Sequence, residues 1–533
     1  MELNIRQLVE RGERYFPDNT VVSRLPDGGR FSYTWREAVQ RARRLASRLD
    51  ALGIQPGERV ATLAWNTYRH LELYFAVPCT GRVLHTVNLR LADEHIVYIL
   101  NHCEDAAVFV DPDLLPVLER IVSQVRTVRH WIVLADKLPP TTLPNAIAYE
   151  DLITEGDPTF QFHEIPENTP AVMCYTSATT GMPKGVSYSH RVIYLHSLTA
   201  ALGDALDVRE RDTFLAMVPM FHANAWGLPY ACAAMGAQLV LPGERPNAAA
   251  LLDLVEREKV TFLAAAVSVG IDVIAELKRK RRDLSSLRAI MLGGSATPAS
   301  VMEYFLAEFN LPIYTAWGST ELAPLATCAH IPRGMLDQPP QTHIPTRVRQ
   351  GIALPGAEVK VLDDSGKEIP WDDQAVGEAY VRAPWSATEY YLDPERSAEG
   401  FKDGWWRSGD MASVNAQGVL RLVDRAKDLI KSGGEWISSV DLENALVAHP
   451  GVCEAAVVGL PDEKWVERPC AYYVCEPGSS PTPAELRAWL EPKFARWWLP
   501  AFYIAIDAIP KTGVGKINKR ALRERVVDDA RLA

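Results

Sequence analysis

The chain has 533 residues, 47% of them hydrophobic and 23% charged, and a formal net charge of -11. This length exceeds what one hydrophobic core supports, so at least two domains are expected, and the composition disfavours a disordered or collagen-like chain. The negative charge disfavours nonspecific attraction to nucleic acid or anionic lipid, so nucleic acid is not an expected partner.

The sequence carries no pattern typical of export or membrane insertion. Residues 1–6 lack the basic-then-apolar order of a secretory signal. The most apolar long stretch, residues 262–275, contains polar residues and is too short to cross a bilayer as a helix, so it predicts buried core. The eight cysteines include no CxxC pair and no zinc-like spacing with histidine. We therefore expect reduced thiols, a cytoplasmic location and no transmembrane segment.

Helical and strand-like patterns alternate along the first part of the chain. Helical periodicity over residues 33–52 is followed by apolar runs at 60–63 and 107–110, and this alternation predicts a layered α/β architecture. An apolar run at 170–175 predicts a buried strand that ends in a Ser/Thr/Gly-rich loop. Short strand patterns with turn signals between 352 and 391 predict a small β-rich subdomain.

The pattern changes after Asp424, where a charged step precedes a glycine pair and the helix-start residue Ser438. We place a domain boundary there. The predicted N-terminal domain, residues 1–424, has two α/β layers plus the β-rich subdomain, and the predicted C-terminal domain, residues 425–533, is small and α+β. The elements predicted in this second domain are strands at 455–458 and 471–475 and a helix at 483–490.

The strongest local pattern is the loop at residues 175–185, YTSATTGMPKG, which combines hydroxyls, glycines and one cation. Hydroxyl and backbone N–H groups can hydrogen-bond a polyphosphate, and Lys184 can offset its charge. The GxxxxGK[ST] spacing of P-loop NTPases is absent. On composition alone, an ordinary polar surface loop stays an alternative.

This loop resembles the YTSGTTGxPKG segment of the adenylate-forming family, which includes acyl-CoA synthetases, peptide-synthetase adenylation domains and beetle luciferases. Ala178 stands where the family usually has glycine. Further segments resemble family segments in the same order over nearly the whole chain. The resemblance implies ATP, Mg²⁺ and coenzyme A as ligands and a mobile C-terminal domain. The loop residues implied to bind the nucleotide are Thr176, Ser177, Thr179, Thr180, Gly181 and Lys184.

Residues 314–321, YTAWGSTE, resemble the second nucleotide segment of the family. There an aromatic ring lies on adenine and a Thr-Glu pair meets phosphate and magnesium, which implies these roles for Trp317, Thr320 and Glu321. A single carboxylate suffices, because Mg²⁺ commonly takes one or two carboxylates plus phosphate oxygens. For Trp317 alone, core packing is the alternative.

Two later segments complete the implied nucleotide site. Asp410 resembles the carboxylate that accepts hydrogen bonds from both ribose hydroxyls, and Arg425 resembles the arginine that reaches ribose or phosphate. In the segment PKTGVGK at 510–516, the family's last lysine contacts the reacting carboxylate and the α-phosphate. Lys516 is therefore the main catalytic candidate.

The reaction that the resemblance implies explains why the site needs positively charged groups. A carboxylate oxygen attacks the α-phosphorus of ATP, so two anions must meet, and Lys516, Lys184 and Mg²⁺ are expected to lower their repulsion. Coenzyme A then attacks the mixed anhydride from the face that Lys516 occupies. The resemblance implies that the C-terminal domain rotates about a hinge at Lys427. It also implies that Gly434 lets pantetheine approach the backbone, since glycine has no side chain.

Residues 219–227, PMFHANAWG, resemble the segment at the acyl pocket. His222 matches a residue that orients substrate or gates the thiol tunnel, and Trp226 either gates an acyl tunnel or packs in the core. Gly318 replaces a tryptophan that closes the pocket of acetyl-CoA synthetases, so acids longer than acetate are expected. The implied acyl-pocket residues are His222, Asn224, Trp226 and Gly318, and the implied catalytic residues are Lys516, His222, Glu321 and Lys184.

The sequence therefore predicts an acyl-CoA synthetase that activates a medium- or long-chain fatty acid with ATP and transfers it to coenzyme A. A hydrophobic pocket discriminates single methylenes weakly, so a range of acids is expected. Two alternatives stay open: a free-standing adenylation enzyme that passes the acyl group to a carrier protein, and a non-catalytic acyl- or nucleotide-binding relative. No carrier domain follows Ala533, which favours the first prediction. The expected partners are small molecules, and a homodimer is left open.

Overall fold

The computed structural model describes residues 2–176, 182–329, 331–432, 435–462, 464–511 and 517–532. Helices and strands alternate through most of this chain, as the sequence pattern predicts. The α-helices are Ile5–Tyr15, Trp35–Ala51, Tyr68–Ala76, Asp93–Cys103, Leu115–Ile121, Tyr149–Thr154, His190–Ala200, Leu228–Met235, Ala248–Glu258, Val267–Arg279, Ala299–Phe309, Ile344–Arg347, Pro394–Gly400, Ser439–Val447, Pro483–Leu490 and Lys519–Leu532.

Two large sheets form the layers of the first part of the chain. The first sheet has, in spatial order, strands Ile352–Ala353, Leu325–Cys328, Ile313–Gly318, Ala289–Gly293, Phe262–Ala266, Thr213–Ala216, Gln238–Leu241, Thr20–Arg24 and Arg30–Thr34. The second has, in order, Ile147–Ala148, His130–Val133, Asp105–Val110, Arg59–Leu63, Val83–Thr86, Pro170–Tyr175 and Gly185–Ser189. Both are parallel in their centres and carry antiparallel pairs at their edges.

Two smaller sheets follow, the first antiparallel and the second antiparallel except for the parallel pairing of Phe502–Ala505 with Val466–Cys475. The first corresponds to the β-rich subdomain predicted between 352 and 391 but extends beyond it, with strands Glu358–Leu362, Gly377–Arg382, Trp405–Val414, Phe401–Lys402 and Leu420–Arg425. The second combines Glu435–Ile437, Ile430–Ser432, Val466–Cys475, Val452–Asp462 and Phe502–Ala505. The helices Ser439–Val447 and Pro483–Leu490 pack on this last sheet through buried leucines, which gives the C-terminal part its own core.

Local sequence signals explain several helix starts. Thr34 and Glu37 form a reciprocal capping box at the helix Trp35–Ala51, and Ser438 accepts a hydrogen bond from the backbone of Asp441. The helix Trp35–Ala51 buries an apolar stripe that includes Trp35 and Leu49 against the core between the two large sheets. Capping and amphipathic spacing thus specify these helices together.

The predicted fold class is confirmed: two α/β layers, a β-rich subdomain and a small α+β C-terminal part. The apolar stretch 262–275 divides into a buried strand and the start of the helix Val267–Arg279. The placement of the domain boundary at residues 424 and 425 stays a prediction. Within the part of the chain that is described, none of the helices combines the length and the apolarity that a membrane crossing requires.

Candidate active site

Thr176 and Glu321 follow the carboxyl ends of strands in the two large sheets, which is where open α/β sheets bind ligands. Lys184 stands just before the strand Gly185–Ser189, across a hairpin from Tyr175 at the end of its own strand. Thr176 begins this hairpin: its N–H donates to the Lys184 carbonyl at 2.9 Å, and the Lys184 N–H donates to the Thr176 hydroxyl at 3.2 Å. These two hydrogen bonds fix the backbone of Thr176 and Lys184 relative to each other and so position the Lys184 side chain.

Lys184 and Glu321 lie side by side. The Lys184 ammonium is 4.0 Å from Oε1 of Glu321, whose side chain is almost fully buried. Burial lowers the pKa of Lys184, while the negative charge of Glu321 raises it and Arg425 lowers it further. A partly desolvated ammonium beside a carboxylate is suited to meet an anionic ligand.

Trp317 links the second nucleotide segment to Asp410. The indole N–H of Trp317 donates to Oδ2 of Asp410 at 2.8 Å, and Nε of Arg425 meets Oδ1 at 2.7 Å. The Asp410 backbone N–H donates to the Ser408 hydroxyl at 3.0 Å. Trp317 also packs in the core of the β-rich subdomain, so the ring has a packing role as well. These contacts hold the Asp410 carboxylate in one orientation.

The acyl-pocket segment has an unusual backbone. Residues 223–227 all have positive φ, from 39° at Ala223 to 72° at Gly227. For non-glycine residues this left-handed conformation costs about 1–2 kcal/mol each, so the segment persists only because its surroundings impose it. Asn66 holds the chain just before this run: its amide donates to the carbonyls of Ala216 and Val218 at 2.8 Å and accepts from the Met220 N–H.

The four predicted acyl-pocket residues have different surroundings. His222 is half-buried and precedes the left-handed run. Asn224 is fully buried, and within the described chain neither polar atom of its amide has a hydrogen-bond partner. Trp226 is 8% exposed, and its indole lies so close to Gly293 that a Cβ on that glycine would be 2.6 Å from the ring.

Gly318 is required by a close backbone approach. A Cβ there would lie 1.8 Å from the carbonyl oxygen of Pro324, which accepts a hydrogen bond from the Ser319 N–H at 2.9 Å. The turn therefore fills the space into which a side chain at this position would project. A larger acyl pocket does not follow from Gly318 alone, although the sequence suggested it.

Lys427 is exposed and lies just beyond the strand Leu420–Arg425. Its ammonium group is nevertheless partly desolvated by the surrounding chain, which lowers its pKa, while the charge of Asp428 raises that pKa. Polar contacts also join the residues before Lys427 to the residues after it. The carboxylate of Asp424 accepts from the Ser439 backbone N–H at 2.8 Å, and Arg421 meets Asp441 at 2.7 Å.

Some predicted residues lie outside the described part of the chain. They are Ser177, Thr179, Thr180, Gly181, Gly434 and Lys516, and the departure from the family pattern at Ala178 lies there too. Their assignments stay predictions. The described site contains groups that the sequence reasoning missed, above all Tyr390, whose hydroxyl donates to Oε1 of Glu321 at 2.7 Å. Arg396 also contacts the loop at residues 175–185, where its guanidinium donates to the Met182 carbonyl at 2.9 Å.

Two sets of side chains in the described chain offer ligand atoms for a metal ion. Glu321 offers carboxylate oxygens beside Lys184, a donor chemistry that fits Mg²⁺ shared with phosphate oxygens. In the described chain, His85, Cys103 and Asp105 also bring ligand atoms within 4.8 Å of one another. There the His85 ring already meets Asp105 at 2.7 Å and packs against Tyr175, so this buried pair supports the end of the Pro170–Tyr175 strand.

Comparisons with known proteins find similar chains over nearly the whole length. A family model described as AMP-binding enzyme matches residues 9–391, and one described as AMP-binding enzyme C-terminal domain matches residues 441–516. The chain is 44% identical over 527 residues to a long-chain-fatty-acid–CoA ligase of Thermus thermophilus, covering 98% of this chain and 96% of that protein. It is 40% identical over 529 residues to a medium-chain-fatty-acid–CoA ligase of Ectopseudomonas oleovorans, with 99% and 96% covered.

A solved structure extends the likeness to three dimensions. The crystal structure of an anthranilate CoA ligase in complex with anthranoyl-AMP superposes with a TM-score of 0.89 at 26% identity, covering 99% of this chain and 98% of that one. The fold is therefore shared over nearly the full length.

Proposed function

The chain belongs to the AMP-binding enzyme family, and from this premise we propose that it is a fatty acyl-CoA synthetase. It uses ATP, with Mg²⁺, to convert a medium- or long-chain acid to acyl-AMP and pyrophosphate, and then transfers the acyl group to coenzyme A with release of AMP. The observation that carries the proposal is the buried Glu321 beside Lys184, close to a second cluster in which Asp410 meets Trp317 and Arg425.

In the first step, a carboxylate oxygen of the fatty acid attacks the α-phosphorus, and the bond to pyrophosphate breaks. Lys184 offsets charge on the outer phosphates, and we assign Lys516 to offset charge on the reacting carboxylate and the α-phosphate. Glu321 would hold Mg²⁺, which supplies positive charge to the phosphate oxygens when bound. Asp410, oriented by Trp317, accepts hydrogen bonds from the ribose hydroxyls.

In the second step, the thiolate of coenzyme A attacks the acyl carbon and AMP leaves. We assign His222 to orient substrate at the thiol tunnel and Gly434 to the approach of pantetheine. Lys516 must leave the reacting face, so we propose that residues 425–533 form a mobile domain that rotates at Lys427. The contacts of Asp424 with Ser439 and of Arg421 with Asp441 would then break and re-form in each cycle.

The location and assembly are also proposals. Each of the eight cysteines is free, and most of them are buried, which supports a reducing, cytoplasmic setting. A homodimer stays a prediction that light scattering of the purified protein can test.

The test is an assay of both half-reactions with straight-chain acids of graded length. We expect acid-dependent pyrophosphate release without coenzyme A and acyl-CoA plus AMP when coenzyme A is added. Adenylation without any thioester would favour the carrier-protein alternative. Nucleotide binding without turnover would favour the non-catalytic alternative.

Lys516→Ala tests the assignment of the catalytic lysine. We expect adenylation to fall by a factor of about 10²–10³, the usual cost of losing one electrostatic stabiliser, while coenzyme A still reacts with supplied acyl-AMP. Lys511→Ala is the matched control, because the Lys511 ammonium is already paired with Glu454 at 2.8 Å. An equal loss in both half-reactions of Lys516→Ala would reject the assignment.

A further inference from the structure

Tyr390 touches both ionic groups at the phosphate end of the site. Its hydroxyl donates to Oε1 of Glu321 at 2.7 Å, and its ring centroid is 3.9 Å from the Lys184 ammonium. The same Oε1 atom lies 4.0 Å from that ammonium. One side chain therefore contacts the carboxylate through its edge and the cation through its face.

The surroundings of Tyr390 hold the ring in this position. Tyr390 is 4% exposed, and its ring packs edge-on against Phe401 at 5.1 Å. Its backbone N–H donates to the Ser397 hydroxyl at 2.8 Å. Gly400 lies close against the ring, where even a Cβ would be 3.1 Å away. These supports come from the helix Pro394–Gly400 and the chain on either side of it, so the ring is fixed before any ligand arrives.

The hydroxyl and the ring have separate effects. The hydroxyl gives one oxygen of Glu321 a donor, while Ser319 donates to the other oxygen, so the carboxylate has one defined orientation. The electron-rich face of the ring attracts the Lys184 ammonium, whose nitrogen lies 3.9 Å from the ring centroid. The ring thereby helps to hold the Lys184 ammonium beside Glu321.

We propose that Tyr390 is a positioning residue for adenylation: its hydroxyl orients the Glu321 carboxylate toward a divalent cation, and its ring places the Lys184 ammonium for the ATP phosphates. This inference rests on the function proposed above and adds a residue to which that proposal gives no role. Tyr390 acts through the two side chains that it contacts, so its proposed role requires no contact with the acid or with the reacting phosphorus.

Two substitutions separate the two effects. Tyr390→Phe removes the hydroxyl and keeps the ring, and Tyr390→Leu removes both. The first readout is binding rather than turnover: the affinity of Mn²⁺ for the complex with α,β-methylene-ATP, followed by the loss of the free-Mn²⁺ electron paramagnetic resonance signal. The second readout is the KM for ATP at saturating Mg²⁺. The third is the rate at which coenzyme A reacts with supplied acyl-AMP.

For Tyr390→Phe we expect Mn²⁺ affinity to fall about tenfold, the lower end of the usual effect of removing a partner of a metal ligand. The KM for ATP at saturating Mg²⁺ stays near that of the wild type. For Tyr390→Leu we expect an additional two- to fivefold rise in that KM, about the effect of one cation–π contact. The reaction of coenzyme A with acyl-AMP stays within about twofold in Tyr390→Phe, since that step involves no pyrophosphate group.

Tyr391→Phe is the matched control. Tyr391 follows Tyr390 directly and packs edge-on against His102 at 5.6 Å, on the side of the second large sheet. We expect wild-type Mn²⁺ affinity for this variant. Thermal denaturation of each variant reports folding, and Tyr390→Phe, which keeps the packed ring, carries the test if Tyr390→Leu fails to fold.

Unchanged Mn²⁺ affinity in Tyr390→Phe would overturn the inference, and so would an equal loss in both of its half-reactions, which a merely structural role predicts. The wild-type assay separates this failure from failure of the proposed function. If the wild type activates fatty acids with ATP while Tyr390→Phe binds Mn²⁺ normally, only the role of Tyr390 is wrong. If the wild type activates no acid, the proposed function itself fails.

Discussion

The nucleotide side and the acyl side of the site are built in opposite ways. On the nucleotide side, Asp410 is held by Trp317 and Arg425, and Glu321 is held by Tyr390. On the acyl side, residues 223–227 adopt a strained left-handed backbone, and the buried Asn224 amide has no hydrogen-bond partner among the described residues. One side is a network of satisfied polar contacts, and the other combines a strained backbone with a buried amide that lacks a partner among the described residues.

This difference matches what each side must recognise. ATP is one molecule with fixed charges, so a preorganised polar network suits it. Fatty acids vary in length and offer mostly methylene groups, which a pocket distinguishes by only about 1–3 kcal/mol each. Changes on the nucleotide side should therefore affect every acid alike, and changes on the acyl side should alter the choice of acid.

Asp410→Asn is expected to have the largest effect. It removes the charge that meets Arg425, and the KM for ATP should rise about ten- to hundredfold, the cost of losing a hydrogen bond to a charged group. The rise should be the same for short and long acids. Steady-state kinetics with ATP varied at fixed saturating acid measures it.

Asp373→Asn is the control for this variant. Asp373 makes a two-bond ion pair with Arg349 at 2.6 Å near the same subdomain and has no assigned ligand. Its loss should leave the KM for ATP unchanged. If the rise in the KM for ATP of Asp410→Asn depended on the length of the acid, the proposed separation of the nucleotide side from the acyl side would be wrong.

Trp226→Ala should alter acid preference and leave the KM for ATP near its wild-type value. The Trp226 indole packs against Gly293, so replacing the indole with a methyl group leaves an empty space beside Gly293. We expect the ratio of kcat/KM for a long acid to that for a medium acid to change about tenfold, the effect of one or two methylenes. Kinetics over acids of graded length measures the ratio.

Trp226→Phe keeps an aromatic ring at this position and should change the ratio less than Trp226→Ala does. An unchanged ratio in Trp226→Ala, with equal loss for all acids, would leave the tryptophan a packing role only. That result would also remove the main support for placing acid selection at residues 223–227.

His196→Gln should have the smallest effect, on stability rather than on activity. His196 is fully buried against the acyl segment, its ring accepts the Leu325 N–H at 3.2 Å, and burial lowers its pKa to about 3. The unfolded chain takes up a proton near pH 6.5 that the folded chain excludes, so this histidine costs stability as the pH falls below 6.5.

At pH 5 this cost is about 2 kcal/mol and at pH 8 it vanishes. The free energy of unfolding of the wild type should therefore fall more steeply between pH 7 and pH 5 than that of His196→Gln. Denaturant unfolding at the two pH values measures the difference. Equal slopes for the two proteins would show that His196 takes up its proton in the folded state.

Periodicity and motif order predict much of this molecule. The strand at residues 170–175, the helix at 483–490 and the helix start at Ser438 agree with the structure because each depends on local propensity and burial. Lys184 and Glu321 are neighbours in space, as the order of the family segments implies.

Other features depend on tertiary contacts that no local pattern encodes. The left-handed run at 223–227 contains alanine and tryptophan, which have no local preference for positive φ, so only the packed surroundings impose it. The role of Tyr390 depends on a segment far along the chain that folds over Glu321. The space beside Gly318 is filled by the Pro324 carbonyl, which sequence comparison at one position cannot reveal.

The most direct test of the account is a single-turnover measurement of pyrophosphate release by the wild-type protein with ATP, Mg²⁺ and fatty acids of graded length, without coenzyme A. The account predicts a burst of pyrophosphate that requires an acid, with an equal amount of acyl-AMP on the enzyme that later coenzyme A converts to acyl-CoA. No consumption of ATP with any acid of the series would contradict it.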